Sequence, residues 1–228
     1  MSARSSRGRI GILISGRGSN LVAILDRIAR GTLRASAAVV ISDHADAPGL
    51  KAARARGVPT IVIDRLDRRS RAEHEARIAG ALEDHKVDLV CLAGYMRLLS
   101  PWFVGRFRGR ILNIHPSLLP AFPGMDAQRQ ALDHGVKVSG CTVHFVDEGV
   151  DSGPILQQAT VPVLDDDTPA RLAARILRKE HEIYGRAIDL ALSGRLRIEG
   201  RRVFGTAARP RTVSGGVRRR GRGGRRRR

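Results

Sequence analysis

Asn113 and His115 alternate with Ile114 at the end of an apolar run, Ile-Leu-Asn-Ile-His, and Pro116 and Pro120 follow. In an extended chain residues i and i+2 share a face, so the amide and the imidazole project together from a strand end. Proline stops the strand and stiffens the loop beyond it. An amide donor beside a titratable ring, at the carboxyl end of a buried strand, suits negative charge growing on an acyl oxygen. Locally the same residues also read as a turn cap and a satisfied buried histidine, and the rest of the chain decides between the two.

Three other segments carry chemistry. Ser15-Gly16-Arg17-Gly18-Ser19-Asn20 joins a strand to a helix. Its glycines let backbone N–H groups converge at a helix N-terminus, which suits a phosphate. The P-loop lysine and the full dinucleotide fingerprint are absent, which favours a single phosphate on a small molecule. A tight turn with Ser19 as cap is the plainer alternative. Asp151 sits in a loop shaped by Gly149, Gly153 and Pro154, from which a carboxylate can reach His115, raise its pKa and fix its tautomer. The run from Gly94 to Leu99 follows a strand, where α/β proteins bind ligands; it can hold a flat heterocycle, although on local sequence alone a packed strand–helix connection is the plainer reading. His144, at strand spacing from Thr142, reads as structural, and no residue cluster has metal-ligand spacing.

The elements that must position these groups alternate. Residues 10–15, 38–42, 60–63, 89–93 and 111–114 read as strands, several apolar on both faces as buried parallel strands are. Helical patterns fill 20–29, 48–56, 71–85 and a short stretch at 101–107. Residues 138–146 and 155–163 read as two longer strands forming an antiparallel edge, and a last helix runs from Pro169 to about Leu192, capped by Thr168 and ended by Gly194. The expected fold is an open, mainly parallel α/β sheet with helices on both faces. Residues 1–8 are expected to be flexible, 9–204 to form one domain, and 205–228, rich in Gly, Arg, Ser and Pro, to be disordered.

The formal net charge of +19 is unevenly placed. Twelve arginines fall in residues 201–228, which leaves 29 basic against 22 acidic residues before them. That mild excess suits an anionic small substrate. The arginine-rich end can also give non-specific nucleic-acid affinity, and a nucleic-acid-binding protein acting through it is one alternative function. Cys91 and Cys141 have no CxxC spacing and read as buried reduced thiols. No apolar run approaches the about 18 residues of a membrane span, and a cytoplasmic protein is expected.

Together these segments resemble the phosphoribosylglycinamide formyltransferases (GAR transformylases) of purine biosynthesis. The resemblance rests on Gly16-Arg17-Gly18-Ser19-Asn20-Leu21, on residues 92–101, on Asn113 through Gly124, on His144-Phe145-Val146, on Asp151 through Ile155, and on Glu180-His181. It spans roughly residues 9–203. It implies 10-formyltetrahydrofolate as co-substrate, glycinamide ribonucleotide as acceptor, and no metal. It implies catalysis by Asn113, His115 and Asp151, and a phosphate held by Gly18, Ser19 and Asn20, with Glu180 near the ribose and Arg71 as a further substrate contact. Met96, Arg97, Leu98 and Leu99, with Val146, Asp147 and Val150, would line the folate pocket. Asp126 stands where the family usually has histidine. Formyltetrahydrofolate hydrolases share the catalytic trio but usually carry an extra N-terminal domain, and here only about eight residues precede the first strand. The oligomeric state stays open between monomer and homodimer.

Overall fold

The computed structural model describes residues 8–64 and 70–206. The expected flexibility of residues 1–7, and nearly all of the expected disorder after 204, therefore lies outside the described residues. Seven strands form one sheet in the order β3-β2-β1-β4-β5-β6-β7. β1 (Gly8–Ile14), β2 (Ala35–Ser42), β3 (Thr60–Val62), β4 (Leu89–Leu92) and β5 (Ile111–His115) are parallel. β6 (Val138–Phe145) and β7 (Ile155–Pro162) close that side antiparallel, as expected.

Alternation along β1 shows why both faces are covered. Ile10, Ile12 and Ile14 enter a core shared with α1 (Ser19–Ala29), α2 (Pro48–Arg54) and α6 (Pro169–Leu192). Leu13 faces the opposite core, with α3 (Arg71–Asp84) and α4 (Pro101–Arg106). Strands buried on both faces are largely apolar, as residues 10–14 of β1 are. In α6, Leu172, Ile176, Ile183, Tyr184, Ala187 and Ile188 form the buried stripe of an amphipathic helix. Thr168 caps it by accepting from the Arg171 amide, and Gly194, at φ 66, follows its end. α3 begins with a full capping box between Ser70 and Glu73.

One detail differs from the sequence reading. α1 is capped by Gly18 in the left-handed conformation (φ 72), not by Ser19, which is already inside the helix. Two features were not anticipated: α5 (Ala127–Asp133), and a hairpin of β8 (Arg197–Glu199) and β9 (Arg202–Phe204).

Strand order reverses between β1, which leads outward to β2 and β3, and β4, which leads to β5. At such a switch point the loops leaving the strand ends part and open a crevice. Ser15–Asn20 leaves β1 there, Gly94–Leu99 leaves β4, and His115 ends β5.

Candidate active site

Asn113 and His115 do project from the end of β5. His115 is buried, with Nε2 2.8 Å from the Phe122 carbonyl oxygen and Nδ1 3.2 Å from Asp151 Oδ2. A carbonyl can only accept, so Nε2 carries the hydrogen in the neutral ring and the Nδ1 lone pair faces the carboxylate. Asn113 Nδ2 donates to Asp151 Oδ1 at 3.4 Å and lies 3.2 Å from His144 Nε2. His144 Nδ1 donates to the carbonyl oxygen of Phe145 at 3.0 Å, which leaves Nε2 as the acceptor for Asn113. Asp151, at φ 49, also accepts from the Gly124 amide at 2.8 Å.

The structure thus adds His144 to the group. The register across β5 and β6 sets Asn113 directly opposite His144, and their side chains meet on one face of the sheet. The sequence signal was the shared alternation of two strands, but their pairing cannot be read from spacing alone.

The electrostatics depart from expectation in one respect. Burial holds the His115 ring below the ordinary imidazole range, outweighing the upward pulls of the Phe122 carbonyl and Asp151, while His144 adds to the lowering. The aspartate acts in the expected direction but does not prevail, because taking a cation out of water costs more than this one partner returns. For Asp151, burial alone would raise the carboxyl. His144, the Gly124 amide and His115 together hold it below the usual carboxylate range. Burial thus favours the neutral form of the ring and the surrounding groups favour the ionised form of the carboxyl, with His115 Nδ1 and Asp151 Oδ2 3.2 Å apart.

Gly18 caps α1, and Ser19 and Asn20 open it, on the loop that leaves β1. Gly18 can lie there because Gly49 of α2 touches it backbone to backbone: a Cβ on Gly18 would lie 2.9 Å from Gly49 Cα. Gly49 also donates its amide to the Gly16 carbonyl at 3.2 Å. Glu180 reaches this loop from α6, accepting from Asn20 Nδ2 at 2.7 Å. Burial raises the Glu180 carboxyl above its ordinary pKa, with Asn20 opposing.

The residues expected to line a folate pocket fall into two groups. The Met96 amide donates to Ser15 Oγ at 2.9 Å, and the Ser15 amide donates to the Gly94 carbonyl at 3.0 Å, so the loops after β1 and β4 are stapled together. Arg71 joins this group: Nη2 donates to the Leu98 carbonyl at 2.7 Å, and Nε pairs with Glu75 at 3.2 Å. Buried Glu75 in turn accepts from the amide and hydroxyl of Ser100. The second group is on the other loop, where Val146 and Asp147 line a cavity of about 580 Å³ with Val104, Phe145 and Pro154. Asp147 also accepts from the Ser152 hydroxyl at 2.7 Å. Met96 (63 %), Leu98 (65 %) and Val150 (49 %) are large apolar side chains left exposed. Arg97 and Leu99 complete the loop between the two staples. No group of three or more His, Cys, Asp or Glu among the described residues is placed to hold a metal ion.

An amide, an imidazole and a carboxylate meet at the end of β5, and α1 begins at the end of β1, across the switch point of a doubly wound sheet. The sequence signature described as "Formyl transferase" matches residues 8–188, and the chain belongs to that family. Within it, the chain is similar to the phosphoribosylglycinamide formyltransferase of Escherichia coli (strain K12), at 42 % identity over 82 % of this chain and 88 % of that protein. The structure of glycinamide ribonucleotide transformylase 1 from Symbiobacterium toebii superposes with a TM-score of 0.86 at 58 % identity, covering 88 % of this chain and 94 % of that one. The trifunctional purine biosynthetic protein adenosine-3 of Drosophila melanogaster is 48 % identical over 82 % of this chain, which spans only 14 % of that relative's length.

Proposed function

We propose that this chain transfers a formyl group from 10-formyltetrahydrofolate to the primary amine of 5'-phosphoribosylglycinamide, in de novo purine biosynthesis. The observation that carries the reading is the convergence of Asn113, His115 and Asp151, with His115 Nδ1 3.2 Å from Asp151 Oδ2, at the same crevice as a glycine-lined helix N-terminus. Relatives bearing that activity's name, similar over most of their length, support it.

In this mechanism the α1 N-terminus, through Gly18, Ser19 and Asn20, holds the substrate phosphate, and Glu180 meets the ribose. The folate ring lies between the Met96–Leu99 loop and Val146, Asp147 and Val150. Arg71 acts by shaping the former loop. The amine, with a pKa of roughly 8, is about one-tenth neutral at pH 7, so attack needs little base strength and much positioning. Its nitrogen bonds to the formyl carbon, and the carbonyl electrons move onto oxygen. Asn113 donates to that oxyanion. The proton shed by the attacking nitrogen lodges between His115 Nδ1 and Asp151 and then passes to N10 of the folate as the carbon–N10 bond breaks. The tetrahedral carbon collapses to the formamide and tetrahydrofolate.

Hydrolysis, with water as acceptor, is the weaker reading, since water leaves the phosphate loop and Glu180 without a task. A cytoplasmic location goes with the reading, and so does weak, salt-sensitive nucleic-acid affinity from the arginine-rich end. Purified protein given 10-formyltetrahydrofolate should release tetrahydrofolate only when glycinamide ribonucleotide is added. Equal release without the acceptor would establish a hydrolase instead.

A further inference from the structure

Two backbone groups hold the His115–Asp151 pair, and both belong to one short segment: the Phe122 carbonyl on the ring and the Gly124 amide on the carboxylate. Little packing fixes that segment. Ala121, Pro123, Met125 and Asp126 are exposed, and Met125 reaches 71 %. Its conformation is also costly. Phe122 and Asp126 have φ of 56 and 57, which for non-glycine residues costs roughly 1–3 kcal/mol each unless the surroundings impose it.

The imposing contacts come from α5. The His134 ring packs on Phe122 at 5.2 Å between centroids. Gln130 does more: its Nε2 donates to the Met125 carbonyl at 2.8 Å and to the Pro123 carbonyl at 3.2 Å. One primary amide has two hydrogens, and both are used. The Pro123 carbonyl and the Gly124 N–H are opposite ends of the same planar peptide unit. Gln130 therefore grips one end of the peptide whose other end donates to Asp151. A hydrogen bond accepted by the carbonyl also polarises the amide, strengthening its donation.

We infer that Gln130 is a positioning residue of the active site, aiming and polarising the Pro123–Gly124 peptide so that Asp151 stays ionised and directed at His115. The inference rests on the catalytic role proposed for Asp151, and neither hydrogen bond from Gln130 touches a reacting atom. The charged or titratable groups facing Asp151 are His115 of β5 and His144 of β6; the Gly124 amide is the contact that Gln130 governs.

The test is Gln130→Met, which keeps the length and removes both donors. The expected result is a tenfold to hundredfold fall in kcat, the range for losing a residue that orients an active-site ligand, with KM for both substrates within about twofold. Carbon-13 NMR of the Asp151 carboxyl, read on the protein without substrate, should show its titration midpoint moved upward. On an Asp151→Asn background the substitution should add almost nothing to the loss, since it acts through that carboxylate. An unmoved carboxyl midpoint, or a full additional loss on the Asp151→Asn background, overturns the inference. Because the NMR arm needs no turnover, it stands or falls apart from the proposed reaction. If Gln130→Met does not fold, Gln130→Glu, whose carboxylate cannot donate to two carbonyls, is read the same way.

Discussion

At the scale of single residues, the site is two donors, the Asn113 amide and the Gly124 N–H, and two imidazoles arranged around one carboxylate. Asp151 faces His115, Asn113, His144 and the Gly124 amide. Removing Asn113 takes away the donor assigned to the oxyanion, and losing one such donor typically costs about 10²–10³ in rate. Asn113→Ala and His115→Ala should each lose at least that much in kcat while melting near the wild-type temperature; full activity in either would remove the mechanism. In NMR titrations His115 should have a midpoint below about 6.5, the ordinary imidazole value. Asp151→Asn should lower it further, because the carboxylate is one of the groups holding it up. The i, i+2 spacing of Asn113 and His115 was legible in the sequence because a strand has one periodicity. The parts played by His144 and Gln130 were not. The first depends on which residue β6 sets opposite Asn113, and the second on the orientation of a peptide plane.

Among the elements, what could be read was what local chemistry dictates. Parallel strands declared themselves as continuous apolar runs, and α6 by Thr168, Pro169 and Gly194. α5 escaped because it buries only Ala127 and Ala131 and starts from Asp126 in a left-handed conformation with no side-chain cap. β8 escaped because all three of its residues are exposed, so no alternation marks it. The contact between α2 and the α1 loop was equally hidden, since it involves atoms that every residue has. It carries a prediction. A Cβ on Gly49 would stand 2.6 Å from Ile14 Cδ1, 3.1 Å from the Gly16 oxygen and 3.2 Å from Gly18 Cα. Gly49→Ala should push the phosphate loop outward, raising KM for the phosphorylated substrate about tenfold and costing roughly 1–3 kcal/mol in urea unfolding. Unchanged KM and stability would show that the loop does not depend on this contact.

For the molecule as a whole, the site carries a standing cost in Glu180. Its carboxyl is raised by burial, so below its ordinary pKa it is protonated in both folded and unfolded chains and costs nothing. As pH rises through the folded value, the buried group must ionise, and stability falls. Glu180→Gln should therefore melt higher than the wild type at pH 7.5, with the difference shrinking toward pH 4, while KM for the substrate rises. A lower melting temperature at pH 7.5 would mean that the charge is compensated by more than Asn20. The same residue has a consequence for biosynthesis of the chain itself. Asn20 and Glu180 meet across 160 residues of sequence. Four residues beyond Glu180, the Tyr184 hydroxyl lies 2.8 Å from the Leu92 carbonyl oxygen and 3.1 Å from that of Leu112, bridging β4 and β5. A ribosome releases the phosphate loop, Asn113 and His115 long before it releases α6. A nascent or prematurely ended chain thus already holds Asn113 and His115 but lacks Glu180 and Tyr184, and the contacts those two make arrive late in translation with a single helix.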